Sequence, residues 1–351
     1  MKSELRLFST LVGIASVACG QGSPSGILPF TLVWTEGKCV GCRTATELGR
    51  IQFTSRNEAW AVGYAYPPPG SNGAGDFVVV HTKDSGHTWR ELPQTRQHAG
   101  DPDGPPAFSF LDAMRGWIAW WDPADEPKMI STRDGGLHWQ GVSNAFLQKV
   151  RFFDDGLGYG AEVTTFLRTK DGGRRWVETQ IPHIRFIDRM LFLTPDVGWI
   201  TGTGDKDAFL FRTLNGGQDW ESLTAPGAVR DLFFLDQNRG WLVTSHYDEP
   251  GAYLFSTRDG GKTWVPDNNP LFSGKAKWAN VVRFLSEKNG FVFEQDEAKH
   301  HGFLYTTDGG ANWRKQTLPR SVYDCQVFEG DLLCDSGELP SGFRVLSLHP
   351  R

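Results

Sequence analysis

The stretch "STRDGGKTW" (256–264) decides the fold, because the chain repeats it. It returns as "HTKDSGHTW" (81–89), "STRDGGLHW" (131–139), "RTKDGGRRW" (168–176), "RTLNGGQDW" (212–220) and "YTTDGGANW" (305–313). Thr stands two residues before an acidic position occupied by Asp84, Asp134, Asp171, Asn215, Asp259 and Asp308. A Gly follows that position by two residues and a Trp by five. Six catalytic centres and six copies of one joint are the two readings. Turn physics favours the joint. An Asp or Asn side chain bonds the backbone two residues on, and Gly takes positive φ. The Thr hydroxyl donates to the carboxylate, and the Trp covers the turn with a large apolar face. Asn215 keeps the acceptor and loses the charge, which a hairpin tolerates and an acid/base catalyst does not.

Each phrase follows a second one: "FTSRNEAWAVG" (53–63), "FLDAMRGWIAW" (110–120), "FFDDGLGYGAE" (152–162), "FLTPDVGWITG" (192–202), "FLDQNRGWLVT" (234–244) and "FLSEKNGFVFE" (284–294). Each opens on Phe and reaches an aromatic seven residues later: Trp60, Trp117, Tyr159, Trp199, Trp241 and Phe291. Polar turn-formers fill the gap, so the phrase reads strand, turn, strand. Two hairpins make a repeat of four strands over roughly 40–50 residues, the size of a propeller blade. No segment has a helical period. The last copy, "CQVFEGDLLC" (325–334) with "FRVLSL" (343–348), supplies three strands. "FTLVWTEG" (30–37) is an orphan strand before the first repeat. The expectation is an all-β, seven-bladed β-propeller over 30–351, built of four-stranded antiparallel blades. The N-terminal strand completes the last blade, which removes open edges.

The 351 residues carry a formal net charge of −5, with Gly 41 and Trp 14. That balance argues against a nucleic-acid binder. The start "MKSELRLFSTLVGIASVAC" reads as an export signal over 1–18, too short in its apolar run to span a bilayer. Ser16-Val17-Ala18 before Cys19 resembles a bacterial lipidation site, with plain secretion as the alternative. Residues 19–29 then form a tether. With Cys19 lipidated, Cys39, Cys42, Cys325 and Cys334 remain of the five cysteines. A two-residue turn at Glu329-Gly330 sets Cys325 opposite Cys334, where a disulfide fits. Cys39 and Cys42 form a C-x-x-C pair, read as a small structural bridge in preference to a redox or metal pair. Both pairs fall on the closing blade.

The pattern Ser/Thr-x-Asp-x-Gly-x-x-Trp resembles the Asp-box, or bacterial neuraminidase repeat. Sialidases, some endoglucanases and sortilin-type receptors share it. The paired phrases over residues 30–348 look most like the photosystem II stability and assembly factors. That resemblance implies an exported, lipid-anchored propeller that binds a protein partner of the membrane-protein kind, without catalysis or cofactor. A monomer facing the periplasm or cell exterior is expected. The partner itself does not carry over. A sialidase's Arg-Ile-Pro phrase is missing from "GRIQF" (49–53) and "QIPHIRF" (180–186).

Arg50, Arg151, Arg189 and Arg283 each lie one or three residues before a blade's Phe, so they share one strand face. They suit a carboxylate or acidic partner at the channel mouth; ion pairing with Asp188 and Asp231 is the plainer reading. Arg230 is out of phase. Loops on the other strand connections carry Trp120, Trp121, Asp122, Asp125, Glu126, Asp205, Asp207, Tyr247, Asp248, Glu249, Glu294, Asp296 and Glu297. Paired carboxylates beside aromatics suit glycan binding or glycoside hydrolysis, the alternative function. Adjacent His300 and His301 point apart on a strand, so no metal is expected. The insertions at 64–77 and 94–108 are candidate recognition loops.

Overall fold

The computed structural model describes residues 28–41, 46–65, 76–92, 97–98, 106–120, 128–204, 208–245, 252–272, 277–296, 301–336 and 343–351. The expected leader, Cys19 and Cys42 lie outside the described residues. The described residues are strands, nearly all paired antiparallel, and their turns, with a 3₁₀ turn at Pro270–Phe272. They form seven four-stranded blades around one axis. The first strands are Thr46–Phe53, Ala107–Phe110, Lys149–Phe152, Phe186–Phe192, Ala228–Phe234, Lys277–Phe284 and Asp324–Phe328, for blades 1 to 7. These first strands lie against one another and line the axial channel.

The ring closes as the sequence implies, and then goes further. Phe30 pairs with Pro350, and the antiparallel register runs through Gly37 opposite Phe343. The strand does not stop at 37. Lys38–Val40 continue across the gap and pair in parallel with Thr88–Arg90 of blade 1. Gly37 permits the crossing. A Cβ there would lie 2.3 Å from the Gly86 carbonyl oxygen and 2.8 Å from the Trp89 ring. Blade 7 and blade 1 are therefore joined through one strand.

The two aromatics of each leading phrase belong to different seams. The aromatic of one blade stacks on the Phe of the next: Trp60 on Phe110 at 4.1 Å, Trp117 on Phe152 at 3.9 Å, and Trp199 on Phe234 and Trp241 on Phe284 at 3.6 Å. Tyr159 meets Phe192 at 4.5 Å, tilted. The closing Trp of the blade's own turn meets that Phe edge-on, as Trp139 does Phe110 and Trp264 does Phe234. Offset and edge-on pairs are the favourable arrangements of aromatic quadrupoles. The Phe ring also covers the Gly opposite it. A Cβ at Gly116 or Gly198 would enter the Phe110 or Phe192 ring, at 2.2 and 2.4 Å.

Cys325 faces Cys334 across the hairpin and is disulfide-bonded to it. The turn between them has φ of 46° at Glu329 and 84° at Gly330, the geometry of a two-residue type I′ turn. Cys39 is also disulfide-bonded.

Candidate functional site

The repeated turn is a closed hydrogen-bond unit. The Thr hydroxyl donates to the acidic side chain in all six copies, at 2.7–3.1 Å. The same hydroxyl accepts from the second Gly N–H, from Gly86 at 3.1 Å to Gly217 at 2.8 Å. The acidic side chain accepts the N–H four residues on, as Asp84 does from Thr88 at 2.7 Å and Asn215 from Asp219 at 3.0 Å. The expected bond two residues on is not made by the carboxylate, because the buried hydroxyl already takes that N–H. One side-chain oxygen of the acidic position thus takes both bonds inside the turn, and Asn215 makes the same bonds without charge.

A pH dependence follows. Burial pushes the Asp259 carboxyl up, but the Thr263 hydroxyl and N–H and the Thr257 hydroxyl outweigh it and hold it at about 2. An unfolded Asp titrates near ~3.9. A depressed carboxylate stabilises the fold above that value and loses its contribution as pH falls towards 2. Asp259→Asn should keep the turn, as Asn215 does. It should show a smaller loss of urea midpoint between pH 4 and pH 2.5 than the parent protein. An equal loss would remove this turn from the acid response.

The channel wall is where side chains remain chemically open. Polar side chains of one first strand bridge to the next. Gln326 of blade 7 accepts the Phe53 N–H and donates to the Ile51 carbonyl, both at 3.0 Å. Gln52 of blade 1 does the same to Phe110 of blade 2, at 2.9 and 2.8 Å. Ser109 of blade 2 accepts the Phe152 N–H at 2.9 Å. Arg189 of blade 4 donates to the Arg230 carbonyl of blade 5 at 3.1 Å. Asp231 of blade 5 accepts the Val282 N–H at 2.9 Å and Arg283 of blade 6 at 2.5 Å. Arg283 in turn donates to Asp324 and the Cys325 carbonyl of blade 7, both at 2.6 Å.

Seven cations (Arg50, Lys149, Arg151, Arg189, Arg230, Lys277, Arg283) and four carboxylates (Glu47, Asp188, Asp231, Asp324) stand on these strands. On a chain of net charge −5 the first strands are therefore cationic. The four arginines singled out by spacing divide. Arg283 is nearly buried between Asp231 and Asp324, the ion-paired reading. Arg189 is partly buried, 4.0 Å from Asp231. Arg50 is 62% exposed and only 3.8 Å from Asp324. Arg151 is open to solvent, with its guanidinium 5.4 Å from the Phe153 ring centroid. Arg230 is exposed too. A β-bulge between Val229 and Asp231 resets the alternation, so its phase in the sequence misleads. Matching bulges occur in the first strands of blades 1, 4 and 6. Lys149, missed in the sequence, stands three residues before Phe152, where blades 1 and 4 carry Arg50 and Arg189.

The acidic, aromatic loop face is less open than expected at the described positions. Trp120 is 3% exposed and packs with Trp60, Phe110 and Ile130 in the seam between blades 1 and 2, so it offers no stacking face. Glu294 is largely buried and ion-paired with Lys315. Trp121, Asp205, Asp207, Tyr247 and Asp248 lie outside the described residues, as do the tips of both long insertions.

No family model matches the chain. A segment of 49 residues is 41% identical to the photosystem II assembly protein Ycf48 of Thermosynechococcus vestitus, a match spanning 13% of each chain. A structure of Ycf48 bound to D1 peptide superposes with a TM-score of 0.63 at 17% identity, over 93% of this chain and 98% of that one. Ycf48 from Cyanidioschyzon merolae gives 0.60 at 15% identity, over 90% and 98%. The xyloglucanase of Xanthomonas campestris gives 0.53 at 14%, over 82% of this chain and 50% of the enzyme. At these identities the likeness is one of architecture: this chain has the seven-bladed fold of the Ycf48 propellers.

Proposed function

We propose that this chain is an exported, non-catalytic propeller, anchored by a lipid on Cys19, that binds an acidic segment of a membrane-protein partner at its channel. The observation that carries the reading is the cationic channel wall on a net acidic chain, with Arg50 and Arg151 open. Cations clustered in a concave site focus potential and steer an acidic partner. Supporting it is that a propeller of this architecture, Ycf48, holds a peptide of D1. The repeated turns and the Arg283 cluster spend the hydrogen bonds described above on the fold, which supports a binding role over a catalytic one.

The test is capture from solubilised membranes by immobilised protein beginning at Gly20, run beside a glycan array. A discrete membrane protein is expected. Its retention should fall as salt rises towards ~0.5 M, where charges beyond several ångströms are screened. It should be lost in Arg50→Gln/Arg151→Gln with the circular dichroism unchanged. Glycan capture with no protein partner would overturn this in favour of the glycan reading, centred on Trp121, Asp205, Asp207, Tyr247 and Asp248. In the host, Cys19→Ala should release the chain from the membrane.

A further inference from the structure

The turns that follow the first strands hold one arrangement twice. In blade 2, "FLDAMRG" (110–116) goes with "STRDGG" (131–136); in blade 5, "FLDQNRG" (234–240) goes with "STRDGG" (256–261). In both, one arginine ties two blades together through two carboxylates. Arg115 donates to Asp112 of its own blade at 2.8 Å and to Asp155 of blade 3 at 3.0 Å. Arg239 donates to Asp236 of its own blade at 2.5 Å and is ion-paired with Glu287 of blade 6. Asp155 and Glu287 each stand three residues after their blade's Phe. The arginine of the repeated turn behaves differently at the two seams. Arg133 reaches Asp155 at 3.9 Å. Arg258 has no ion pair or side-chain hydrogen bond among the described residues. It lines a cavity of about 390 Å³ with Asp236, Asn238, Arg239 and Glu287.

We propose that this cavity binds a polar α-amino acid as its zwitterion, with the carboxylate on Arg258 and the ammonium on Glu287. The charges of the cavity are already sorted into two ends. Asp236 is held by its own turn, accepting the N–H groups of Asn238 and Arg239, both at 2.8 Å, and the Arg239 guanidinium. Glu287 shares that guanidinium and stays half exposed. Two carboxylates thus divide one cation, which leaves a net negative charge at that end. Arg258 is the positive end. A lone anion entering the cavity meets Glu287 and Asp236 as well as Arg258, and a lone cation meets Arg258. A ligand with one charge of each sign finds an opposite charge at both ends.

The rest of the lining sets the ligand's character. All five side chains are polar, so an apolar side chain gains no partner by entering. The Asn238 carboxamide offers donors and an acceptor to a polar one. Its place is fixed by the backbone, because the Gly260 N–H donates to the Asn238 carbonyl at 2.8 Å and holds it against the turn that carries Arg258. Blade 2 makes the same bond from Gly135 to Met114 at 2.9 Å. The two turns therefore share a backbone joint and differ in the side chain presented there, thioether in one and amide in the other. The volume lies within the roughly 300–1,000 Å³ of small-molecule sites.

L-glutamine is the probe, titrated calorimetrically into the protein. N-acetyl-L-glutamine keeps only the carboxylate, and L-glutaminamide keeps only the ammonium. L-glutamine should bind saturably with a dissociation constant of about 1 mM or below, the sum of two charged contacts. Each analogue should bind about tenfold more weakly, for the loss of one of them. Arg258→Gln, with the circular dichroism unchanged, should weaken L-glutamine about tenfold and abolish its advantage over L-glutaminamide. Arg133→Gln, the same change at the equivalent place in blade 2, should leave the affinity unaltered. Absence of saturable L-glutamine binding, equal binding of the three probes, or equal effects of Arg258→Gln and Arg133→Gln overturns the proposal. The cavity shares no residue with Arg50 and Arg151 of the channel, so either reading can fail alone.

Discussion

Trp199→Ala should lower the stability of the folded ring by about 3–5 kcal/mol, the range for truncating a large buried aromatic. Trp199 is fully buried and packs with Leu210, Leu232, Phe234 and Leu242. Its ring stacks on Phe234 at 3.6 Å and 10°, and its indole N–H donates to the Gly260 carbonyl at 3.0 Å. The Arg212 guanidinium lies 5.8 Å from the ring centroid. Truncation therefore removes the seam between blades 4 and 5, leaves a cavity, and strands a buried carbonyl. Trp199→Phe is the informative partner. Phe291 holds the equivalent place in blade 6, so a phenyl ring fits the joint. That variant should cost about 1–2 kcal/mol, the share of the lost hydrogen bond and part of the packing. Equilibrium urea unfolding followed by far-ultraviolet circular dichroism reads both. An alanine variant within about 1 kcal/mol of the parent would mean that the stacked pair is not what joins these blades.

Asp231→Ala should cost a similar amount, about 3–5 kcal/mol, for a different reason. Asp231 is 5% exposed and is the common acceptor for the Val282 N–H and Arg283. Removing it leaves a buried N–H unpaired and a nearly buried guanidinium with Asp324 as its one remaining carboxylate partner among the described residues. The penalty comes mostly from the stranded charge, because the desolvation cost of Arg283 no longer has its full compensation. Asp231→Ala/Arg283→Met removes the charge together with its partner. The double variant should recover at least about half of the single-variant loss. Additive losses in this cycle would show that the two side chains act independently, and that the geometry overstates their coupling.

Much of this molecule can be read along the chain, since its information is local. A Thr, an acidic residue, two glycines and a Trp at constant offsets define a turn whichever blade they occupy. Six such turns at blade spacing, an incomplete seventh repeat and an orphan strand set the blade number and the means of closure. The Cys325–Cys334 bond was legible for the same reason, because a two-residue turn places its flanks in register. What the chain alone left undecided depends on neighbours far away in sequence. Phe and Trp of one phrase look like partners, yet each pairs across a seam with another blade. Arg283 and Arg151 occupy the same place relative to the blade's Phe. Only the ring brings Asp231 and Asp324 to the first and, among the described residues, no carboxylate to the second. Bulges at four first strands break the two-residue alternation on which the reading of Arg230 rested. Trp120 looked available until the adjoining blade was seen to cover it. Turn chemistry is fixed by a few adjacent residues, whereas charge pairing and burial are fixed by whichever strands the closed ring sets side by side.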